Sequence, residues 1–245
     1  MLPTENVIGV IPARMGATRL PGKPLRKIAG VPMIQKVYEG VARCQRLQRV
    51  VVATDGPEIA EFCRASGIPV HMTSPDHPSG TDRVWQVVEE LRAEAAVNIQ
   101  GDEPMVRHEM ITTLVEALFS APEIEVASLF TSISAEEAQL PSACKVVMEE
   151  NGRALYFSRA PIPYPREGSP HYHKHLGFYA YARSALNAFH AWPPSPPEGI
   201  ERLEQLRFLH HGVRIAMAAT PFNTIGIDTP EDLAQAEAWA KSHAT

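Results

Sequence analysis

Three cations and two carboxylates define the chemistry open to this chain of 245 residues. Arg14, Arg19 and Lys23 stand five and four residues apart in Ile11-Pro12-Ala13-Arg14-Met15-Gly16-Ala17-Thr18-Arg19-Leu20-Pro21-Gly22-Lys23-Pro24-Leu25. Cations at those spacings meet on one anion only if the chain between them curls. Gly16 and Gly22 permit the curl, and Pro21 and Pro24 stiffen it. The sites of a triphosphate are usually built in this way, from backbone N–H groups with Lys and Arg. Lys23 is followed by Pro24 and not by Ser or Thr, which excludes a Walker loop. Gly9 and Gly16 do not supply the dinucleotide fingerprint. A solvated basic surface loop is the plain alternative, but it does not account for glycine and proline interleaved directly behind an apolar run.

Asp102 follows Gln100-Gly101, and Asp228 follows Ile225-Gly226-Ile227. Magnesium favours one or two carboxylates and takes its other ligands from water and phosphate. Two carboxylates beside three cations therefore suit the joining of a nucleoside triphosphate to a hydroxyl. The metal would polarise the α-phosphate and help deprotonate the attacking oxygen, and the cations would hold the leaving diphosphate. Taken singly, Asp102 also reads as a turn residue and Asp228 as the approach to a helix.

Other candidates are more open. Ser79-Gly80-Thr81-Asp82-Arg83 reads either as a capped helix start or as a loop facing a base or ribose. His171, His173 and His175 alternate, so a strand would put them on one face. Three imidazoles could hold zinc or nickel, but no Cys or carboxylate stands beside them, which favours one functional histidine within the set. Glu204-Gln205 lies in an amphipathic stretch and reads by itself as a solvated face.

Alternating elements must position these residues. Val7 to Ile11, Val50 to Ala53, Val70 to Met72 and Ala95 to Ile99 read as strands. Between and after them Met33-Ile34-Val37-Val41, Ile59-Phe62-Cys63, Val84-Val87-Val88-Leu91 and Ile111-Leu114-Val115-Leu118 recur at helical spacing. The pattern predicts an α/β fold: a mostly parallel, Rossmann-like sheet with helices on both faces. The second half carries an antiparallel insertion. Lys145 to Met148 and Ala154 to Phe157 flank Asn151-Gly152, a strong hairpin signal. Leu176 to Ala182 reads as a strand, and Leu203, Leu206 and Leu209 as a helical stripe. Thr229-Pro230-Glu231-Asp232 has the N-cap, first-turn proline and acids of a helix start. One domain over 1–245 is expected, with 141–182 as the insertion. In such sheets ligands sit beyond the carboxyl ends of the strands, where the Arg14 loop, the Asp102 loop, Ser158-Arg159 and Asp228 would gather.

A net charge of −5 argues against nucleic acid as a partner, but a local cationic pocket can still take an anionic small molecule. Cys44, Cys63 and Cys144 are odd in number and widely spaced, which points to a reducing, cytoplasmic setting. No apolar run approaches the roughly twenty residues of a membrane helix.

With these motifs in view the chain resembles the 3-deoxy-manno-octulosonate (KDO) cytidylyltransferase family from about Val7 to Leu233. The resemblance is carried by the early loop together with Val52-Ala53-Thr54-Asp55, Ser79 to Arg83, Gln100 to Pro104, Ala154 to Arg159, His175 to Tyr181, Leu203 to Arg207 and Gly226 to Leu233. It implies transfer of CMP from CTP to the anomeric hydroxyl of KDO, with release of diphosphate, for lipopolysaccharide assembly. Arg14, Arg19 and Lys23 would hold the triphosphate; Ser79, Gly80 and Arg83 would face the cytidine; Asp102 and Asp228 would bind Mg2+. Gln100, Arg159, His175, Tyr179, Glu204 and Gln205 would surround the acidic sugar. A homodimer is implied, with contacts expected around 141–182. Met15, Ala17 and Phe178 depart from residues common in the family. The alternatives are another sugar nucleotidyltransferase, for 8-amino-KDO or sialic acid, and a non-catalytic nucleotide-binding domain, which would lose the two aspartates.

Overall fold

Val7, Ile8, Val10 and Ile11 are all buried, so the first strand has no solvent face. A continuous apolar run of this kind belongs in the middle of a parallel sheet covered by helices. Each such side chain contributes roughly 1.5–3 kcal/mol of burial. The computed structural model describes residues 6–16, 19–168 and 170–242. Ala17 and Thr18 of the early loop lie outside the described residues.

The chain forms two compact units, one of residues 6–112 and 224–242 and one of 113–223. In chain order the first contains β1 (Val7–Ala13), β2 (Lys27–Ile28), β3 (Val31–Pro32), α1 (Met33–Val41), β4 (Arg49–Thr54), α2 (Pro57–Ala65), β5 (Val70–Met72), α3 (Gly80–Leu91) and β6 (Ala95–Asn98). Helix α4 (His108–Leu118) spans the division. Strands β6, β1, β4 and β5 lie side by side in that order, all parallel. The chain steps one way from β1 to β4 to β5, then returns to β6 on the other side of β1. Right-handed crossovers then place α1 and α2 on one face and α3 on the other. The reversal between β1 and β6 opens a crevice beyond their carboxyl ends. Val10 pairs with Asn98, so β6 ends beside Val10 while β1 runs on to Ala13, and the loop after β6 passes along the end of β1, where Gly101 meets Pro12 O.

The second unit holds β7 (Val126–Ile133), α5 (Ala135–Ala138), β8 (Lys145–Met148), β9 (Ala154–Ser158), β10 (Tyr172–Ala182), α6 (Arg183–Ala191), α7 (Pro196–Glu201), α8 (Gln205–His210) and β11 (Ile215–Ala219). Here β11 is parallel to β7, while β7–β10, β10–β8 and β8–β9 are antiparallel. The expected hairpin is β8–β9, and Gly152 takes a φ of 79° in its turn. Two strands carry no clear sequence signal. β11, Ile-Ala-Met-Ala-Ala, is poor in β-formers and is held by its five-residue register with β7. β7 has its first four residues buried and then turns polar. The strand expected from Leu176 begins earlier, at Tyr172, and carries a register shift between Leu176 and Tyr179.

Helix α9 (Pro230–Ser242) closes the first unit. Its cap is reciprocal: Asp232 N–H donates to Thr229 Oγ1 at 3.2 Å, and the Asp232 carboxylate accepts from Thr229 N–H at 2.9 Å. Ile227 and Ala236 pack with Leu20, Ile28 and Met33 in one apolar cluster. That cluster ties the late segment to the early loop. Burial draws on all three cysteines, which are free thiols; it pushes the Cys63 thiol up to about 11 and the Cys144 thiol up to about 12.

Candidate active site

A cleft of roughly 370 Å³ opens at the ends of β1 and β6. It is lined by Arg14, Gly16, Arg19 and Lys23 from the loop after β1, by His77, Ser79, Gly80 and Arg83 around the start of α3, and by Gln100, Gly101, Asp102 and Asp228. All the predicted nucleotide and metal residues therefore share one cavity, together with one of the predicted sugar residues, Gln100.

The early loop curls as its glycines require. Gly22 N–H donates to Met15 O at 3.4 Å, and Gly22 sits at φ 69° before a single 3-10 turn at Lys23–Leu25. Lys23 Nζ then donates to Asp102 Oδ2 at 2.6 Å and to Asp228 Oδ1 at 3.0 Å. Arg19 adds a contact to Asp228 Oδ2 at 2.9 Å. Burial alone would lower the Lys23 pKa. The attraction and hydrogen bond of Asp102, and then those of Asp228, outweigh it and hold the ammonium above its ordinary value.

The main chain of each aspartate is anchored. Asp102 O accepts from Ile227 N–H at 2.9 Å, which joins the two aspartate segments directly. Gly101 lies so close to β1 that an added Cβ would stand 2.8 Å from Pro12 O, so only glycine brings Asp102 to this point. Asp228 N–H donates to the Asp232 carboxylate at 3.0 Å. The segment before Asp228 forms no strand; it was expected to reach the site as a strand end and instead docks through Ile227. The two carboxylates are hard oxygen donors that already bind one cation in common, which fits Mg2+ completed by phosphate and water. Among the described residues no group of three or more His, Cys, Asp or Glu is placed to hold a metal, His171, His173 and His175 included.

The α3 start is a capped helix start, and it also lines the cleft. Ser79 caps the helix by accepting from Asp82 N–H at 3.2 Å, and its hydroxyl donates to Asp82 Oδ2 at 2.8 Å. Arg83 is 4% exposed and is held by Thr73 Oγ1 and, at 3.4 Å, by Asp55 Oδ1. Sequence reasoning missed His77. The strand-end rule that found Arg14 and Asp102 would also have pointed to the loop after β5.

The other predicted sugar residues belong to the second unit. Arg159 Nε, Nη1 and Nη2 donate to the carbonyls of Glu201, Pro141 and Arg202 at 2.9, 3.0 and 3.4 Å. The Glu201 carboxylate, unforeseen from sequence, accepts from Ser158 Oγ at 2.6 Å and Arg159 N–H at 3.0 Å. Buried Lys145 donates to Arg159 O at 2.6 Å. His175 Nε2 lies 2.8 Å from Ser128 Oγ, which in turn donates to Phe178 O at 2.8 Å. The serine hydrogen is thereby used, so His175 donates from Nε2. Burial drives the His175 pKa down to about 3 and lifts that of neighbouring Tyr179 well above the phenol range. The His175 and Tyr179 rings are 5.3 Å apart. Gln205 is buried, with Nε2 3.8 Å from Cys144 Sγ, and Glu204 is exposed at the head of α8.

Residues 8–215 match the family model described as Cytidylyltransferase. The chain is 50% identical to a 3-deoxy-manno-octulosonate cytidylyltransferase from Acidobacterium capsulatum, over 95% of each chain. It is 45% identical to the enzyme of that name from Escherichia coli, over 96% of each. A solved structure of CMP:2-keto-3-deoxy-manno-octonic acid synthetase complexed with CTP superposes with a TM-score of 0.93 at 44% identity, covering 96% of this chain and 98% of that one. A cytidylyltransferase from Leptospira borgpetersenii, 16% identical with a TM-score of 0.66 over 98% and 89% of the two chains, shares the fold alone.

Proposed function

Because the chain belongs to the 3-deoxy-manno-octulosonate cytidylyltransferase family, we propose that its cleft joins CMP from CTP to the anomeric hydroxyl of KDO and releases diphosphate. The observation that carries this reading is the double contact of Lys23 with Asp102 and Asp228 beside Arg14 and Arg19.

In this reading the cations bind the β- and γ-phosphates and stabilise the charge that develops on the leaving diphosphate. Ser79, Gly80 and Arg83 hold the nucleoside, and the buried Arg83 is pre-ordered by Thr73 and Asp55. Asp102 and Asp228 would hold Mg2+, which when bound supplies charge at the α-phosphate and lowers the pKa of the attacking hydroxyl. Lys23 then turns from the carboxylates toward the triphosphate. Arg159 has five N–H groups and directs three at carbonyls, which leaves two for the paired oxygens of a sugar carboxylate. The family resemblance gives His175, Tyr179, Glu204 and Gln205 of the second unit, and Gln100 of the first, roles toward the sugar. Neutral His175 serves as a hydrogen-bonding group and not as an acid. A homodimer with contacts around 141–182, a cytoplasmic location and a role in lipopolysaccharide assembly complete the proposal. No helix among the described residues is long and apolar enough to cross a membrane.

The test is diphosphate release by purified protein with CTP, Mg2+ and a panel of acidic sugars. Turnover with KDO is expected. Turnover only with the 8-amino sugar or sialic acid would move the substrate assignment, and tight CTP binding without turnover on any sugar would overturn the enzyme reading.

A further inference from the structure

His77 lines the cleft from the loop between β5 and α3, next to Ser79 and Gly80. The ion pairs of Arg19, Lys23, Asp102 and Asp228 mark the polyanion part of the cavity. The wall from His77 to Arg83 is built differently and suits the nucleoside: its cation, Arg83, is buried and paired with Asp55 at 3.4 Å, and it stands apart from the Lys23–Asp102–Asp228 cluster.

The tautomer of His77 is set by its neighbours. Its Nε2 lies 2.6 Å from Gln86 Oε1. Two independent contacts fix the orientation of that amide. Oε1 accepts from Ser74 N–H at 2.9 Å, and Nε2 donates to Glu90 Oε1 at 2.7 Å. The other Glu90 oxygen is 2.6 Å from His71 Nε2. A carbonyl oxygen only accepts, so His77 Nε2 carries the proton and donates. In the Nε2–H tautomer of imidazole Nδ1 carries no proton and can only accept.

We propose that His77 is a base-specificity residue: its Nδ1 accepts a hydrogen bond from the exocyclic amino group of cytosine, and Gln86 is the positioning residue that fixes this tautomer. The inference rests on the reading of the cleft as the CTP site. Uracil carries a carbonyl where cytosine carries the amino group, so UTP would set two acceptors against each other. A site built around a matched polar group discriminates strongly against a ligand that lacks the partner. Sequence reading alone left cytosine unexplained.

The experiment compares kcat/KM for CTP and UTP in the wild type, His77→Ala, Gln86→Leu and the double variant. It also reads His77 by long-range proton–nitrogen spectra of protein labelled in histidine. The expected spectrum shows the Nε2–H tautomer in the free enzyme and a shift of Nδ1 on addition of CTP. Each single variant should lose about tenfold or more of the preference for CTP, and the double variant should lose no more than His77→Ala. An unchanged preference in His77→Ala, or an Nδ1–H tautomer in the wild type, would overturn the proposal. Failure of the wild type to use CTP at all would instead sink the functional reading. Should Gln86→Leu not fold, His77→Ala and the spectrum decide the matter.

Discussion

Replacing Lys23 by Met separates what this side chain does for the fold from what it does for the reaction. Two full charges about 4 Å apart interact by about 4 kcal/mol at an effective dielectric near 20, and water reduces this sharply. The Asp228 side chain is 46% exposed, so its contact belongs with surface pairs of about 0.2–1 kcal/mol. Asp102 is 28% exposed and Lys23 only 15%, which raises that contact to about 1–2 kcal/mol on the same scale. Folding should therefore weaken by about 2 kcal/mol. For a chain of this size that is a fall in Tm of about 4–8 °C. Loss of a donor to developing charge costs about 2.7–4 kcal/mol, or 100- to 1000-fold in kcat. The catalytic loss is the larger, so Lys23→Met should be folded at 25 °C and slow at saturating CTP. Thermal melting and diphosphate release measure the two effects separately. A kcat within about threefold of wild type, with the melt lowered as stated, would show that Lys23 is a structural counter-ion and takes no part in the chemistry.

Asp102→Asn and Asp228→Asn should each nearly abolish diphosphate release while far-UV circular dichroism stays unchanged; brisk turnover in either would remove that carboxylate from the mechanism. Gly101→Ala must push Pro12 O away from a Cβ at 2.8 Å; it should destabilise by about 1–3 kcal/mol in urea melts and depress turnover, and a silent substitution would refute the close approach. His175 stays neutral in the fold down to about pH 3, whereas in the unfolded chain it takes a proton below about 6.5. Its contribution is therefore fully present above pH 6.5 and is lost as the pH falls from there toward 3, by up to about 1.4 kcal/mol per pH unit. Urea midpoints at pH 7 and pH 5 should converge in His175→Gln relative to wild type, and parallel behaviour of the two proteins would contradict the buried, neutral ring.

Much of the first unit could be read directly because its strands are buried on both faces. Such strands must be continuous apolar runs, as Val7 to Ile11 and Val50 to Ala53 are, and helical periodicity fills the gaps between them. The cleft followed from that reading, since strand ends in a parallel sheet converge on one edge. Asp228 was found for a different reason than the one that places it. The sequence suggested a strand end, while the structure uses the Ile227 N–H and a capped helix. β11 stayed hidden because its alanines have little β-propensity of their own and owe their conformation to β7. Glu201 and Gln86 were unreadable for a similar reason. Each is an ordinary polar helix residue in sequence, and its role lies entirely in which distant backbone or ring it meets.

The hydrogen bond from Ile227 to Asp102 has a consequence for biosynthesis. Lys23 leaves the ribosome 205 residues ahead of its second carboxylate partner, and the apolar cluster behind the early loop lacks Ile227 and Ala236 until the same late segment arrives. A growing polypeptide can complete the β1–β4–β5 sheet and still possess no working centre. If the proposed reaction needs Asp228, competence should come at once, when the final stretch docks, and molecules shortened before Ile227 should be inert and not merely slow.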